Sequence, residues 1–490
     1  MSRDQSDLAS DDPFSLDAPL FSFTRSAADA WTLRDAFEGV QIFGALGSGK
    51  TSGSGQAIAK AYLRAGFGGL VLTAKPDERQ LWQHYADATG RADDLIIFKP
   101  GNQYYFNFLH YEMKRPGEGA GDTDNLATMF RYVLDANERG AGQNDAFWDR
   151  TVKQVMRNAI DILYVSTGNL KLDELRDVIR SAPHHPEQLQ SEEWLRQSFC
   201  LRCVRDGLQK LEDLPPYRKR DFLAAADYWM EEFPLLADKT RSIIVTMFTS
   251  MADTFLRGRM YDLFSTKLTI VPEMSDQLGK IIILDLPVNE YGESGRFAQV
   301  LFKYVWQKAM LRRNEQQNPN PVFLWADESH NFCGSFDMKF QAEARSKRAC
   351  TVYLTQNLPN YYAAFGGGDK GKHEADSLLG NLDTKVFHAN GDPVTNQWAA
   401  DVIGKSWHRH TTTNTGTSES TQQGQGRQNS MSAGTSESYD YDVPPADFTK
   451  LRKGGASNDF LVEGYLFKTG RAWSLTGKSY MKIRFDQRGE

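Results

Sequence analysis

Apolar residues along the chain gather into short runs and helical stripes. Residues 37–43 (FEGVQIF) predict a buried strand that feeds directly into a glycine-rich turn. Residues 51–64 then carry small and aliphatic side chains at helical spacing, and Gly66, Gly68 and Gly69 end that helix. Further buried strands are expected at residues 69–74 (GLVLTA) and 94–98 (DLIIF). Strand, helix and strand at such short intervals imply an α/β unit built on a largely parallel sheet.

The texture changes between residues 122 and 258. Amphipathic helical patterns dominate there, as in residues 147–164 (FWDRTVKQVMRNAIDILY) and 172–179 (LDELRDVI), and continuous β-branched runs are scarce. We read this stretch as an all-α domain inserted into the α/β unit. Strand signals return at residues 280–286 (KIIILDL), 322–326 (VFLWA), 351–355 (TVYLT), 384–389 (TKVFHA) and 460–467 (FLVEGYLF). Residues 410–438 form a Ser/Thr/Gly/Gln tract with almost no apolar content, which predicts a mobile loop. The expected organisation is an acidic flexible arm over residues 1–30, a nucleotide-binding α/β domain over residues 31–115 and 259–490, and an all-α domain over residues 116–258.

Composition narrows the class. The 490 residues, 40% hydrophobic and 24% charged, supply ample material for a large core. A net charge of −6 argues against a surface coated in basic residues, although a ring can confine its positive charge to a pore. Four cysteines do not make a disulfide framework, and no apolar run reaches the ~18–20 residues of a membrane span. A soluble, cytoplasmic protein is expected.

The segment Gly44-Ala45-Leu46-Gly47-Ser48-Gly49-Lys50-Thr51 fits G-x-x-x-x-G-K-[ST] in full and lies between a predicted strand and a predicted helix. Glycines let main-chain N–H groups turn inward around phosphates, and the helix N-terminus adds a favourable dipole. Residues 44–52, through Ser52, are therefore the expected phosphate cradle, with ATP and Mg²⁺ as cofactors. Lys50 would reach the β/γ-phosphates, and the Thr51 hydroxyl would coordinate the cation. A second signal is the apolar strand 322–326 ending in Asp327-Glu328, where Asp327 would hold Mg²⁺ and Glu328 would polarise the attacking water. Asp285 is the competing acid, but Leu286-Pro287 follows it instead of a Glu.

Gln356, just beyond the strand at 351–355, is placed to sense the γ-phosphate. Arg345 or Arg348 could act as an arginine finger on a neighbouring subunit's nucleotide, the alternative being a solvated basic turn. The catalytic candidates are thus Glu328, Lys50, Arg345 and Gln356, with Thr51 and Asp327 on the metal. The Cys200/Cys203 pair, His184-His185, His330 and the basic run 217–220 read as structural features.

These motifs, in this order, resemble the coupling-protein ATPases of conjugation and type IV secretion, the TraG/TraD-like branch of the FtsK/HerA class. The resemblance runs from about residue 37 to residue 467. Asp77-Glu78 after Thr73-Ala-Lys-Pro is similar to the family's D-x-K-x-E strand exit, with Thr73 in place of the leading acid. Asn107 precedes Phe108 where the family has an N-P-L step, and residues 147–148 and 241–244 match its helical domain. Trp325-Ala-Asp327-Glu328, Arg345, Thr355-Gln356, residues 392–395 and 443–447 complete the set. The resemblance implies a RecA-like P-loop motor that assembles as a homo-hexameric ring and passes DNA or substrate through its centre. Family members usually begin with transmembrane helices, and this chain shows none.

The expected function is accordingly an ATP-hydrolysing motor that translocates or recruits DNA or a DNA–protein substrate. Its expected partners are DNA and a relaxase or secretion-system component, with membrane contact at the inner membrane only through partners. Two other classes are open: a protein-recruiting adaptor ATPase of a secretion system, and an ATPase subunit of an antiviral complex.

Overall fold

The computed structural model describes residues 14–24, 26–137, 146–418 and 428–488. Its strands in chain order are β1 (Pro19–Ser22), β2 (Ala30–Thr32), β3 (Val40–Phe43), β4 (Gly68–Leu72), β5 (Leu95–Phe98), β6 (Ile281–Leu284) and β7 (Val322–Ala326). There follow β8 (Ala349–Thr355), β9 (Thr384–His388), β10 (Lys405–Ser418), β11 (Gln428–Tyr441), β12 (Leu461–Lys468) and β13 (Tyr480–Asp486). Nine of these form one sheet in the order β13-β12-β9-β3-β8-β7-β4-β6-β5. All neighbours from β9 to β5 run parallel, and only β12 and β13 run antiparallel, at one end. The α/β class with a largely parallel sheet expected from the pattern is the class observed.

Burial explains why these strands read as unbroken apolar runs. In a sheet covered on both faces, alternate side chains enter two different cores. Leu70, Leu72, Ile282, Leu284, Val322 and Leu324 join one cluster, while Val71, Ile281, Ile283, Phe323 and Trp325 join the other. The first cluster continues without a break into the helices between β5 and β6, where Tyr132 stacks on Tyr304 with ring centroids 4.4 Å apart. The helical stretch therefore shares a core with one face of the sheet.

Two expectations are corrected here. The N-terminal arm was expected to be flexible to residue 30, yet β1 pairs with β2, and Phe21 and Phe23 pack edge-on against Trp31. Leu16, Leu20, Phe21 and Phe23 supply enough apolar surface to dock this segment, and the surrounding acids obscured it. The first 13 residues of the arm lie outside the described residues. The tract at 410–438, expected as a loop, contributes instead to a two-stranded antiparallel hairpin, with Lys405 opposite Tyr441 and Ser418 opposite Gln428. Its backbone ladder and cross-strand pairs hold it, not burial. Trp407 meets Tyr439 at 5.4 Å, and Arg409 pairs with Glu437 at 3.2 Å. A ladder of this kind needs no apolar pattern, so composition pointed away from it.

Candidate functional site

Four neighbouring parallel strands, β3, β8, β7 and β4, end along one edge of the sheet. Chain leaving the carboxyl ends of such strands is where open α/β sheets build ligand sites. The glycine loop leaves β3, Lys75 follows β4, Asp327 and Glu328 follow β7, and Gln356 follows β8. A short helix, Leu33–Phe37, occupies the start of the stretch read as the first strand, so β3 itself begins at Val40.

The glycine loop is anchored at its root. Gly44 N–H donates to the Thr355 carbonyl at 3.2 Å, and Ala45 N–H donates to that of Ala389 at 3.0 Å. Gly47 and Gly49 take φ of +69° and +83°, a region where a side chain is strained. At Gly49 a Cβ would also lie 2.4 Å from Val462 Cγ2, because β12 closes over the loop. Leu46 projects from the tip, whereas Ser48 and Lys50 are buried. Beyond the loop the chain makes one wide π-helical turn, Thr51–Gly55, before the helix Gln56–Arg64. Ser52 Oγ accepts a hydrogen bond from Gln487 Nε2 at 2.7 Å, tying the turn to the C-terminal segment.

Under that turn lies His388, at the end of β9. Its Nδ1 is 2.8 Å from the Glu463 carbonyl, which can only accept, so Nδ1 carries the proton. Nε2 then accepts from the Ser54 hydroxyl at 2.7 Å. Burial pushes the imidazole pKa down to about 4, and the nearby Lys50 charge adds to the shift. His388 is a neutral strut beneath the loop.

The acidic pair faces the loop. Glu328 adopts φ +49°, unusual for a residue with a side chain, and its N–H donates to Asp327 Oδ1 at 2.9 Å. Lys50 Nζ is 3.3 Å from Glu328 Oε1 and 3.9 Å from Asp327 Oδ1. The Thr51 hydroxyl donates to Asp327 Oδ2 at 2.7 Å. Gln356 Nε2 and Lys75 Nζ each also reach Glu328 Oε1 at 3.3 Å. Glu328 Oε2, by contrast, is buried and has no hydrogen-bond partner, and His330 Nδ1 lies 3.8 Å from it.

The charges are mutually tuned. Burial alone would raise the Glu328 pKa, but the Lys50 and Lys75 ammoniums outweigh it and hold the carboxyl below its ordinary value. Burial opposes the Lys75 charge, yet Asp327 and Glu328 draw its pKa upward. Glu78, which accepts from the Ala74 N–H at 2.9 Å, is pushed well up by burial and then by the Asp327 charge.

The structure thus brings Lys50, Thr51, Asp327, Glu328 and Gln356 into one cluster. It places Arg345 elsewhere. Arg345 lies just before β8, with Nη1 3.2 Å from Glu38 at the opposite edge of the sheet. Seven strand residues separate the two edges, roughly 20 Å. Arg348 donates to the Phe14 carbonyl at 2.9 Å. Asp285, the competing acid, pairs with Arg79 at 3.0 Å instead of with Lys50. Lys75, Glu78 and His388 also join the site or its support; the sequence marked Lys75 and Glu78 only as part of a strand exit, with no role in the site, and did not single out His388. The signal available for Lys75 was its position just past a parallel strand, the same signal that marks Gln356.

A phosphate-bearing anion at Lys50 and a small oxygen-seeking cation between Thr51 and Asp327 suit this donor set. Two buried polar atoms lacking hydrogen-bond partners, Ser48 Oγ in the loop and Glu328 Oε2 opposite it, fit a site that is completed by a ligand.

Residues 321–443 match the family described as the TraM recognition site of TraD and TraG. That stretch takes in the acidic pair, Arg345, Gln356 and the hairpin. In fold, the chain is similar to the plasmid coupling protein TrwB. The unbound bacterial conjugative coupling protein TrwBdeltaN70 gives a TM-score of 0.60 at 14% identity, covering 94% of this chain and 88% of that one. TrwB with the non-hydrolysable ATP analogue ADPNP gives 0.59 at 14%, covering 95% and 90%. TrwB with ADP and Mg²⁺ gives 0.60 at 14%, covering 94% and 89%. No curated protein matches the chain. Among the described residues no helix is long and apolar enough to cross a membrane.

Proposed function

We propose that this chain is the nucleotide-hydrolysing motor of a conjugative coupling system, of the TraG/TraD type. The observation that carries the reading is the convergence of Lys50 and Thr51 on Asp327 and Glu328 at the tips of neighbouring parallel strands. The proposed ligand is ATP with Mg²⁺, in keeping with the ADPNP and the ADP and Mg²⁺ of the TrwB complexes. Residues 44–52 cradle the phosphates, Thr51 and Asp327 hold the cation, and Lys50 neutralises charge on the phosphate side. The cation, when bound, offsets negative charge on the phosphate oxygens.

The chain's own groups do the rest. Glu328 is ionised and buried, so its carboxylate can orient a water and accept its proton. Gln356 holds the same carboxylate from the neighbouring strand and positions it against the loop. Arg345, at the far edge of the sheet, is assigned to a neighbouring subunit's nucleotide in a ring. We further assign residues 31–115 and 259–490 to the motor domain and residues 116–258 to an all-α domain, with DNA as the moved substrate.

A recruiting role is a second reading, favoured by the description of the family that residues 321–443 match. Turnover measured with and without DNA, at low and high salt, separates the two. A motor is stimulated by DNA, and the stimulation collapses as salt rises. Turnover indifferent to DNA at every salt concentration would remove the translocation reading and leave recruitment.

A further inference from the structure

Three donors, Lys50, Lys75 and Gln356, meet at the single oxygen Glu328 Oε1, each at 3.3 Å. Charge-assisted contacts of good geometry are nearer 2.7–2.9 Å, so none of the three holds that oxygen tightly. The two lysines differ in freedom. The Lys50 side chain is 6% exposed, whereas that of Lys75 is 34% exposed at the end of a flexible stem. Lys75 leaves β4, the strand beside β7 on the side away from β8, so it approaches Glu328 from the flank opposite Gln356.

We propose that Lys75 is a second phosphate-reading cation, which restrains Glu328 until a triphosphate arrives. The inference rests on the nucleotide-binding reading above. Because both ammoniums touch one oxygen atom, they are no further apart than two 3.3 Å contacts laid end to end. Anionic oxygens that engage Lys50 therefore come within electrostatic reach of Lys75. A terminal phosphate competes with Glu328 for the Lys75 ammonium and carries more charge than one carboxylate. Transfer of Lys75 to that phosphate frees Glu328 Oε1 to take a water. A diphosphate lacks the group that draws Lys75 across, so Glu328 stays restrained after hydrolysis. Lys75 thus discriminates between nucleotide states, a task separate from the anchoring by Lys50, and its half-exposed position allows the swing.

The test is equilibrium binding of Mg-ADP and of a Mg-bound non-hydrolysable ATP analogue to the full chain, for wild type, Lys75→Met and Lys75→Arg, by titration calorimetry. Loss of one charge–phosphate contact is expected to lower affinity for the analogue about tenfold, which corresponds to ~1.4 kcal/mol, while leaving ADP affinity unchanged. Lys75→Arg, which keeps the charge, should recover most of the preference. An analogue-to-ADP ratio identical in wild type and Lys75→Met would overturn the assignment, as would an equal loss for both nucleotides. A wild-type chain that binds neither nucleotide would instead remove the nucleotide reading itself. Lys75 lies at a strand exit and is half-exposed, so thermal unfolding of the variants should match wild type; if Lys75→Met is unstable, Lys75→Gln, which also removes the charge, is measured in its place and the same two outcomes decide.

Discussion

Two buried lysine–carboxylate pairs, Lys303–Asp337 and Lys50–Glu328, are built in opposite ways. Lys303 and Asp337 are 2.5 Å apart, and every lone-pair direction of the carboxylate is occupied. Asp337 Oδ2 accepts from Lys303 and from Gly334 N–H, while Oδ1 accepts from Gln307 and the Tyr353 hydroxyl. The ammonium also donates to the Phe332 carbonyl at 2.7 Å. Lys50 and Glu328, by contrast, stand 3.3 Å apart, three donors crowd one oxygen, and the other oxygen has no hydrogen bond. A buried ion pair offsets its desolvation only when its remaining hydrogen bonds are made. Lys303–Asp337 meets that condition and joins the helical stretch Val288–Arg312, kinked at Gly292, to the segment after β7. Lys50–Glu328 does not, and the deficit falls where a ligand would supply it.

The contrast can be broken first at Glu328. Glu328→Gln should keep nucleotide affinity and lose turnover by about 10²–10⁴-fold, the usual worth of a positioned base; single-turnover kinetics with unchanged rates would remove that role. Lys303→Ala comes next. It strands the Asp337 carboxylate in the core and should cost about 3–5 kcal/mol of folding stability, read from urea unfolding. Lys50→Ala should cost far less, because Lys75 and Gln356 remain on Glu328. Equal losses for the two lysine variants would erase the distinction.

A third buried group sharpens it. His388 has its pKa lowered from 6.5 to about 4 in the folded chain, so the unfolded chain binds the extra proton first as pH falls. Its contribution is present above pH 6.5 and is lost as pH drops toward 4, about 3 kcal/mol over the window. His388→Gln should flatten that part of the stability–pH curve relative to wild type, and an unchanged slope would contradict the neutral assignment. The smallest effect on folding stability is expected at Arg345, whose guanidinium is half-exposed against Glu38. Arg345→Ala should alter folding stability by no more than ~1 kcal/mol, yet stop turnover in assembled rings and regain it when mixed with Lys50→Ala subunits. Absence of such complementation would argue against a role in trans.

These residues also show what was legible before folding. Local grammar revealed the loop 44–51 and the apolar strand ending at Asp327-Glu328, because phosphate binding demands adjacent glycines and a parallel strand buried on both faces must read as one apolar run. The same grammar ranked Asp327 over Asp285 from a single following residue. It was blind where the partners are distant in sequence. Ser54 and His388, Gly49 and Val462, and Lys75 and Glu328 meet only when β9, β12 and β4 take their places in the sheet. The hairpin of β10 and β11 was hidden for another reason: its stability comes from the backbone ladder, which composition does not record.

Calorimetric titration of the full chain with the Mg-bound non-hydrolysable ATP analogue, wild type beside Lys50→Ala, reads the central claim most directly. One analogue per wild-type chain and no measurable heat for a folded Lys50→Ala are the outcomes expected. Equal affinity in the two proteins would mean that the ammonium facing Asp327 and Glu328 does not hold phosphate, and the site would have to be reassigned.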